Sequence, residues 1–294
     1  MTRARMSAGK RTTLWALAAL SLFYLLAPPG WMLVSSFSPV TELYSRPPHW
    51  IPHRPTLEHY ATLFQTAGAN AAALSQNPQV RAFPRSFANS LVIALATTVI
   101  CVMFGSVSAY TLSRFVGRER QKLVLLGLLA TRMIPVVSIL IPIYFALQRL
   151  GLLDTLSGLI LVYSGLLLPF VIWILEGYYR DFPHELEEAA SIDGAGTFRT
   201  FRQIILPNAY PALAALAILR FQASWNSFQW PLIVVRSPEH LTLPLGLASF
   251  QGLFGVNWNW VLAGAMFNAV PIILLVIFFQ KYFIRSAASS AIKG

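Results

Sequence analysis

Two sets of residues in this sequence could do chemistry, and in both the chemistry is recognition rather than catalysis. The first is Glu188-Ala189-Ala190-Ser191-Ile192-Asp193-Gly194, followed after nine intervening residues by Ile204-Ile205-Leu206-Pro207. Asp181 is suited to cap a helix start, with Pro183 and Glu185 in the first turn. Leu186, Ala189 and Ala190 then form a stripe of helical spacing that another surface can approach closely. Gly194 and Gly196 break the helix, because glycine accepts the positive φ of a sharp turn. Thr197 starts a second helix with Phe198, Phe201 and Ile205 on its apolar side, and Pro207 ends it. The product is a helix–turn–helix bracket that presents the carboxylate of Glu188.

The second set is polar residues inside long apolar runs. Gln222, Asn226 and Gln229 share one helix face, and Arg220, Ser224 and Ser227 share another. Trp225 and Trp230 are broad flat surfaces of the kind that stack on sugar rings, and Asn268 is an amide within the final apolar run. These groups either line a pathway or bond across helix contacts. Arg132 and Arg220 each lie nine residues into their segments, a depth of roughly 14 Å at 1.5 Å per residue. No acid is available at that depth, so each cation has to meet water, carbonyls, a partner or a ligand. The choices are carbonyls of a helix broken near Pro135, a partner subunit, or an anionic substrate such as a uronate oligosaccharide or a sugar phosphate.

The elements that position both sets are membrane spans. Hydrophobic residues make up 56% of the 294 and charged ones 11%, against roughly a quarter charged in soluble domains. A helix crossing the hydrocarbon layer needs about 20 apolar residues. Six segments qualify: 14–37, 87–112, 123–147, 156–178, 211–235 and 260–283. Inside lipid the backbone must bond to itself, so the expected class is all-α, with kinks at the internal prolines.

The basic residues set the orientation. Arg3, Arg5, Lys10, Arg11, Arg114, Arg118, Arg120, Lys122, Arg180, Arg199, Arg202, Lys281, Arg285 and Lys293 fall on one side, and Arg46, Arg54, Arg81, Arg85, Arg149 and Arg236 on the other. The excess marks the cytoplasmic side and places both termini there. The net charge of +11 is thus explained by topology and anionic lipid rather than nucleic acid. The first apolar run exceeds a signal-peptide core and is a retained helix.

Several chemistries are excluded by pattern. No Walker A loop, HExxH or GxSxG motif occurs, so neither a catalytic set nor an ATP site is expected in this chain. Cys101 is single and offers no disulfide or metal pair. His49 and His53 are four apart, but Pro47, Pro48, Pro52 and Pro55 forbid a regular helix there, so no metal site is expected. Residues 38–86 form an external lobe of turns and short helices, 179–210 the cytoplasmic bracket, 236–259 a second external loop and 284–294 a cytoplasmic tail, all within one domain spanning 1–294.

The EAA-x3-G-x9-I-x-L-P pattern at 188–207 resembles the cytoplasmic loop of the membrane subunits of bacterial ABC importers. Trp225-Asn226-Ser227-Phe228-Gln229-Trp230-Pro231-Leu232-Ile233, Thr242-Leu243-Pro244-Leu245-Gly246-Leu247 and the terminal Ala291-Ile292-Lys293-Gly294 resemble the carbohydrate permeases of the maltose type, in particular their shorter second subunit. Ser227 stands where many members carry an acid. The resemblance covers essentially the whole chain and implies the type I importer permease fold in the bacterial inner membrane. It implies that Glu188, Ala189, Ala190, Asp193, Gly194, Ile204, Leu206 and Pro207 couple to a separate ATPase, present in two copies and holding ATP and Mg2+. It further implies a similar but non-identical permease partner and an external solute-binding protein met by Ser249, Gln251 and Gly252.

Overall fold

The computed structural model describes residues 8–47, 49–66, 70, 77–252 and 255–292, with side chains from 9 to 279 within that set, apart from 252 and 255. Arg3, Arg5, Lys281, Arg285 and Lys293, with the 291–294 terminus, lie wholly or partly outside the described residues. Among the described residues, four helices are long and apolar enough to cross a membrane: Gly9–Ser36, Pro78–Phe115, Leu156–Arg180 and Trp258–Phe279. Two bent pairs raise the number to six. Arg118–Met133 meets Val136–Arg149 at 97°, and Thr197–Asn208 meets Tyr210–Trp225 at 74°.

The bends have identifiable causes. Pro135 is the N-cap of the Val136–Arg149 helix, and the residue before a proline is pushed out of helical conformation, as Ile134 is at ψ 122°. The expected run 211–235 is also interrupted. Its helix closes at Trp225 with Asn226 as C-cap, and a new helix spans Gln229–Val234. The second span begins at Pro78 rather than at residue 87. The last nine residues of the expected external lobe are therefore helical, because Pro78 occupies a first-turn position that proline tolerates.

The chain divides into two compact units, Met1–Arg81 with Leu247–Ala269, and Ala82–Gly246 with Val270–Gly294. In the first unit, short helices Val40–Leu43 and Glu58–Phe64 follow the first long helix. His59 Nε2 bonds the Ser38 carbonyl at 2.9 Å, and Tyr60 and Phe64 pack on Phe267. A two-residue antiparallel ladder pairs Gln251 with Val256 and Gly252 with Gly255, a small exception to the all-helical expectation. Histidines 49 and 53, not expected to form a metal pair on a helix, bring their rings to 4.7 Å. The loop does this through turns, so no helix is needed.

In the second unit, helices Pro78–Phe115, Leu156–Arg180 and Tyr210–Trp225 surround a core of Cys101, Tyr110, Val171, Leu175, Tyr179, Ile205 and Leu213. Gly105 allows a close helix approach, since a Cβ there would lie 2.5 Å from Val171 Cγ1. A second core joins Ile93, Leu147, Leu159, Tyr163, Trp230 and Val234.

Candidate functional site

The bracket folds as a helix Glu185–Ile192, a glycine turn, and a second helical stretch from Thr197. Gly194 lies at φ 78°. Its N–H donates to the Ser191 carbonyl at 3.1 Å, and the Ala195 N–H donates to the Ala190 carbonyl at 2.9 Å. That pair of bonds is a Schellman closure, in which the residue after the cap must be left-handed. The glycine of the sequence pattern is thus the residue that satisfies the last carbonyls of the EAA helix.

Asp181 does not cap this helix. It is the C-cap of the preceding Leu156–Arg180 helix, and His184 occupies the N-cap position. Asp is favoured at N-caps, but here the chain is still leaving the span. The second stretch also departs from expectation. Phe201–Ile205 is a π turn, and helix continues through Pro207 to Asn208, so the break falls at Ala209. Phe198, expected on the packed side with Phe201 and Ile205, is 73% exposed, whereas the other two are buried.

Ion pairs tie the bracket to the spans. Arg114, at the end of the Pro78–Phe115 helix, lies 2.6 Å from Glu187 Oε1 and donates to the Phe182 carbonyl at 3.2 Å. Tyr110 donates to Glu187 Oε2 at 3.0 Å, and its ring meets that of Phe201 at 5.0 Å. Buried Glu176 accepts from Gln121 Nε2 at 2.6 Å and faces Arg180 at 3.6 Å. Tyr178 donates to the Asn208 carbonyl at 2.9 Å.

On the outer face Glu188, Ala189 and Asp193 are exposed, but Ala190 is buried, so the stripe expected to meet a second surface is partly used within the chain. Ile204 and Leu206 are half-buried, and Pro207 is exposed. Leu206 and Pro207 line an apolar groove with Val102, Tyr210, Ala214 and Phe279. Sequence reasoning missed Ile192, which is 87% exposed at the bracket tip beside Asp193. An isoleucine beside the turn glycine in an otherwise charged segment was the available signal.

The polar set is distributed differently. Gln222, Asn226 and Gln229 are exposed on this chain, but the helix ends between them, so they do not form one continuous face. Trp225 is fully buried, stacked on Phe221 and edge-on to Phe87. It presents no face for a sugar in this arrangement. Trp230 is largely buried and lines a cavity of about 400 Å3 with Thr131, Arg132, Tyr163 and Ser227. Arg132 and Arg220 both lie over the Phe170 ring, at 4.7 and 4.8 Å. Arg220 is 6% exposed, and its Nε and one Nη are buried without a hydrogen-bond partner. Asn268 belongs to the other unit and is half-buried. Ser249 is half-buried, and Gln251 is exposed in the strand it shares with Gly252, where it pairs with Val256.

Residues 82–289 match the family described as "Binding-protein-dependent transport system inner membrane component". The chain is 33% identical over 288 residues to the trehalose/maltose transport system permease protein MalG of Thermococcus litoralis, covering 97% of this chain and 98% of that one. It is 34% identical over 265 residues to an arabinooligosaccharides transport system permease protein of Halalkalibacterium halodurans, covering 90% and 89%. In fold it resembles a chain of a bacterial ABC transporter involved in import of the acidic polysaccharide alginate. The TM-score is 0.77 at 22% identity, covering 96% of this chain and 100% of that one.

Proposed function

Because the chain belongs to the inner membrane components of binding-protein-dependent transport systems, we propose that it is one of two similar but non-identical permease subunits importing a carbohydrate, specifically an oligosaccharide. It is a multi-pass transport subunit, not an enzyme. Two copies of a separate ATPase, which hold the ATP and Mg2+, dock on the bracket from the cytoplasm, where both termini also lie. A solute-binding protein delivers the sugar from outside and meets Ser249, Gln251 and Gly252. The sugar assignment draws support from relatives named for trehalose/maltose, arabinooligosaccharide and diacetylchitobiose transport.

The observation that carries the coupling role is the Schellman turn at Gly194, which holds Glu188, Asp193, Ile192 and Phe198 outward while Glu187 is clamped to Arg114. Packed cores shift as discrete bodies rather than deforming continuously. Movement imposed on the bracket therefore passes through Phe201 and Ile205 to the Tyr210–Trp225 helix, and the pathway changes the side to which it opens.

The test is uptake of a labelled oligosaccharide into vesicles containing the reconstituted complex. Uptake is expected to require the ATPase and to be lost in Glu188→Lys, which also fails to retain the ATPase on co-purification. Unchanged uptake and retention in Glu188→Lys would overturn the docking role of that face.

One observation favours a narrower reading, in which the sugar is anionic. Two guanidinium groups share the Phe170 ring with no carboxylate partner among the described residues, and Arg132 lines the cavity. A uronate or sugar phosphate would supply the missing charge. Arg220→Gln is then expected to reduce uptake of an acidic oligosaccharide at least about tenfold relative to a neutral analogue, the loss of one charge-assisted hydrogen bond. Equal loss for both solutes makes Arg220 structural.

A further inference from the structure

The segment after the first helix gathers three metal-binding side chains that the transport function does not use. Glu42 lies in the Val40–Leu43 turn, and His49 and His53 follow in the proline-rich loop. One potential ligand atom from each lies within 4.8 Å of the other two. Glu42 Oε2 is 3.8 Å from His53 Nδ1, and the two imidazole rings meet edge to face at 86°.

Neighbouring bonds set the ligand atoms. The Ser45 hydroxyl donates to the Glu42 carbonyl at 2.8 Å, which commits its single proton. It therefore accepts from His49 Nδ1, 2.9 Å away. A histidine protonated at Nδ1 carries its lone pair on Nε2, one of the two ring nitrogens that can ligate a metal, and a second bond of this kind is what orients most ligating histidines. The carboxylate is held as well, since the His53 N–H donates to Glu42 Oε2 at 2.9 Å.

We propose that Glu42, His49 and His53 bind one Zn2+ ion, leaving the fourth position to water. Two imidazole nitrogens and one carboxylate oxygen suit a late first-row divalent ion better than Ca2+ or Mg2+. In a tetrahedral zinc site with bonds of about 2.0–2.1 Å, ligand atoms stand roughly 3.3 Å apart. The existing separations need to close by no more than roughly 1.5 Å, within reach of side-chain rotation. The bound ion would clasp residues 42 to 53, where the prolines already limit the loop's freedom. Sequence spacing hides the site, because the third ligand is a glutamate seven residues before the first histidine.

The test uses the full chain in its assembled complex, without a polyhistidine tag, stripped with a chelator and titrated with Zn2+ against a chromophoric competitor. One ion per chain is expected. His49→Ala or His53→Ala should weaken binding by at least about tenfold, and Ser45→Ala by about tenfold with stoichiometry retained. Cobalt substitution should give tetrahedral absorption bands that vanish in the His49→Ala/His53→Ala double variant. His49 and His53 are exposed, so their variants should assemble and transport sugar, separating this result from the transport reading. Zinc binding of equal affinity and stoichiometry in wild type and double variant, or no binding in either, overturns the site.

Discussion

Within one compact unit, charged side chains are handled in opposite ways at two places, although of the two arginines around Phe170 only Arg220 is buried and Arg132 is exposed on this chain. Beside the bracket, Arg114 meets Glu187 at 2.6 Å, and Glu176 meets Gln121 and Arg180. Around Phe170, Arg132 and Arg220 are close enough to share one ring, yet neither has a carboxylate among the described residues. In the paired region a carboxylate from the loop is locked to a cation from a span 73 residues away. The unpaired region carries positive charge that meets the Phe170 ring and no carboxylate among the described residues. Such an arrangement costs stability and persists where function needs it.

The largest effect should come from breaking the paired region. Glu187→Ala strands Arg114, whose side chain is 6% exposed, and should destabilise the complex by about 3 kcal/mol. Thermal unfolding in detergent measures this. An Arg114→Met/Glu187→Met double variant should recover most of the loss. If the single variant unfolds at the wild-type temperature, the contrast between the two regions disappears.

Next is the turn. Gly194→Val forces a β-branched residue to φ 78°, against a penalty of about 1–2 kcal/mol per residue for left-handed backbone. It should detach the ATPase, whereas Gly194→Asn, which accepts that conformation, should retain it. Equal retention would show that the outward face, rather than the turn, governs docking.

The unpaired region predicts the opposite sign. Arg220→Met removes a buried cation and should raise stability by about 1 kcal/mol while impairing uptake. A fall in stability instead would mean that a partner subunit supplies the counter-charge.

The smallest effect lies outside both regions, in the loop joining the Val136–Arg149 and Leu156–Arg180 helices. Partial burial alone would raise the Asp154 pKa, but the N–H groups of Arg236 and Ser237 and the side chains of Ser237 and His240 outweigh it and hold the carboxyl at about 2. A folded pKa below the ordinary 3.8 means that this stabilisation is complete above about pH 4. It is lost as pH falls towards 2. Asp154→Asn should lower the unfolding temperature at pH 6 and flatten its decline below pH 4. An unchanged profile would show that these bonds add nothing to stability.

The spans were legible because lipid imposes one requirement on every residue of a run, and averaging over about 20 positions makes the signal strong. The bracket was legible because Gly194 answers a local backbone need. What failed depended on partners distant in sequence or on helix ends. Asp181 has the right chemistry for a cap, but nothing local distinguishes a chain entering a helix from one leaving it. The face shared by Gln222, Asn226 and Gln229 assumed a helix that stops at Trp225. Trp225 itself was expected to offer a flat surface, but Phe87, more than a hundred residues earlier, covers it. The Glu187 clamp was invisible for the same reason.

The π turn at Phe201–Ile205 stores length. It holds one residue more per turn than an α-helix does, and it sits just before the 74° elbow at Ala209. Tightening it to α geometry releases one residue, roughly 1.5 Å of rise and 100° of rotation, into the helix that carries Arg220. The loop thus contains its own slack.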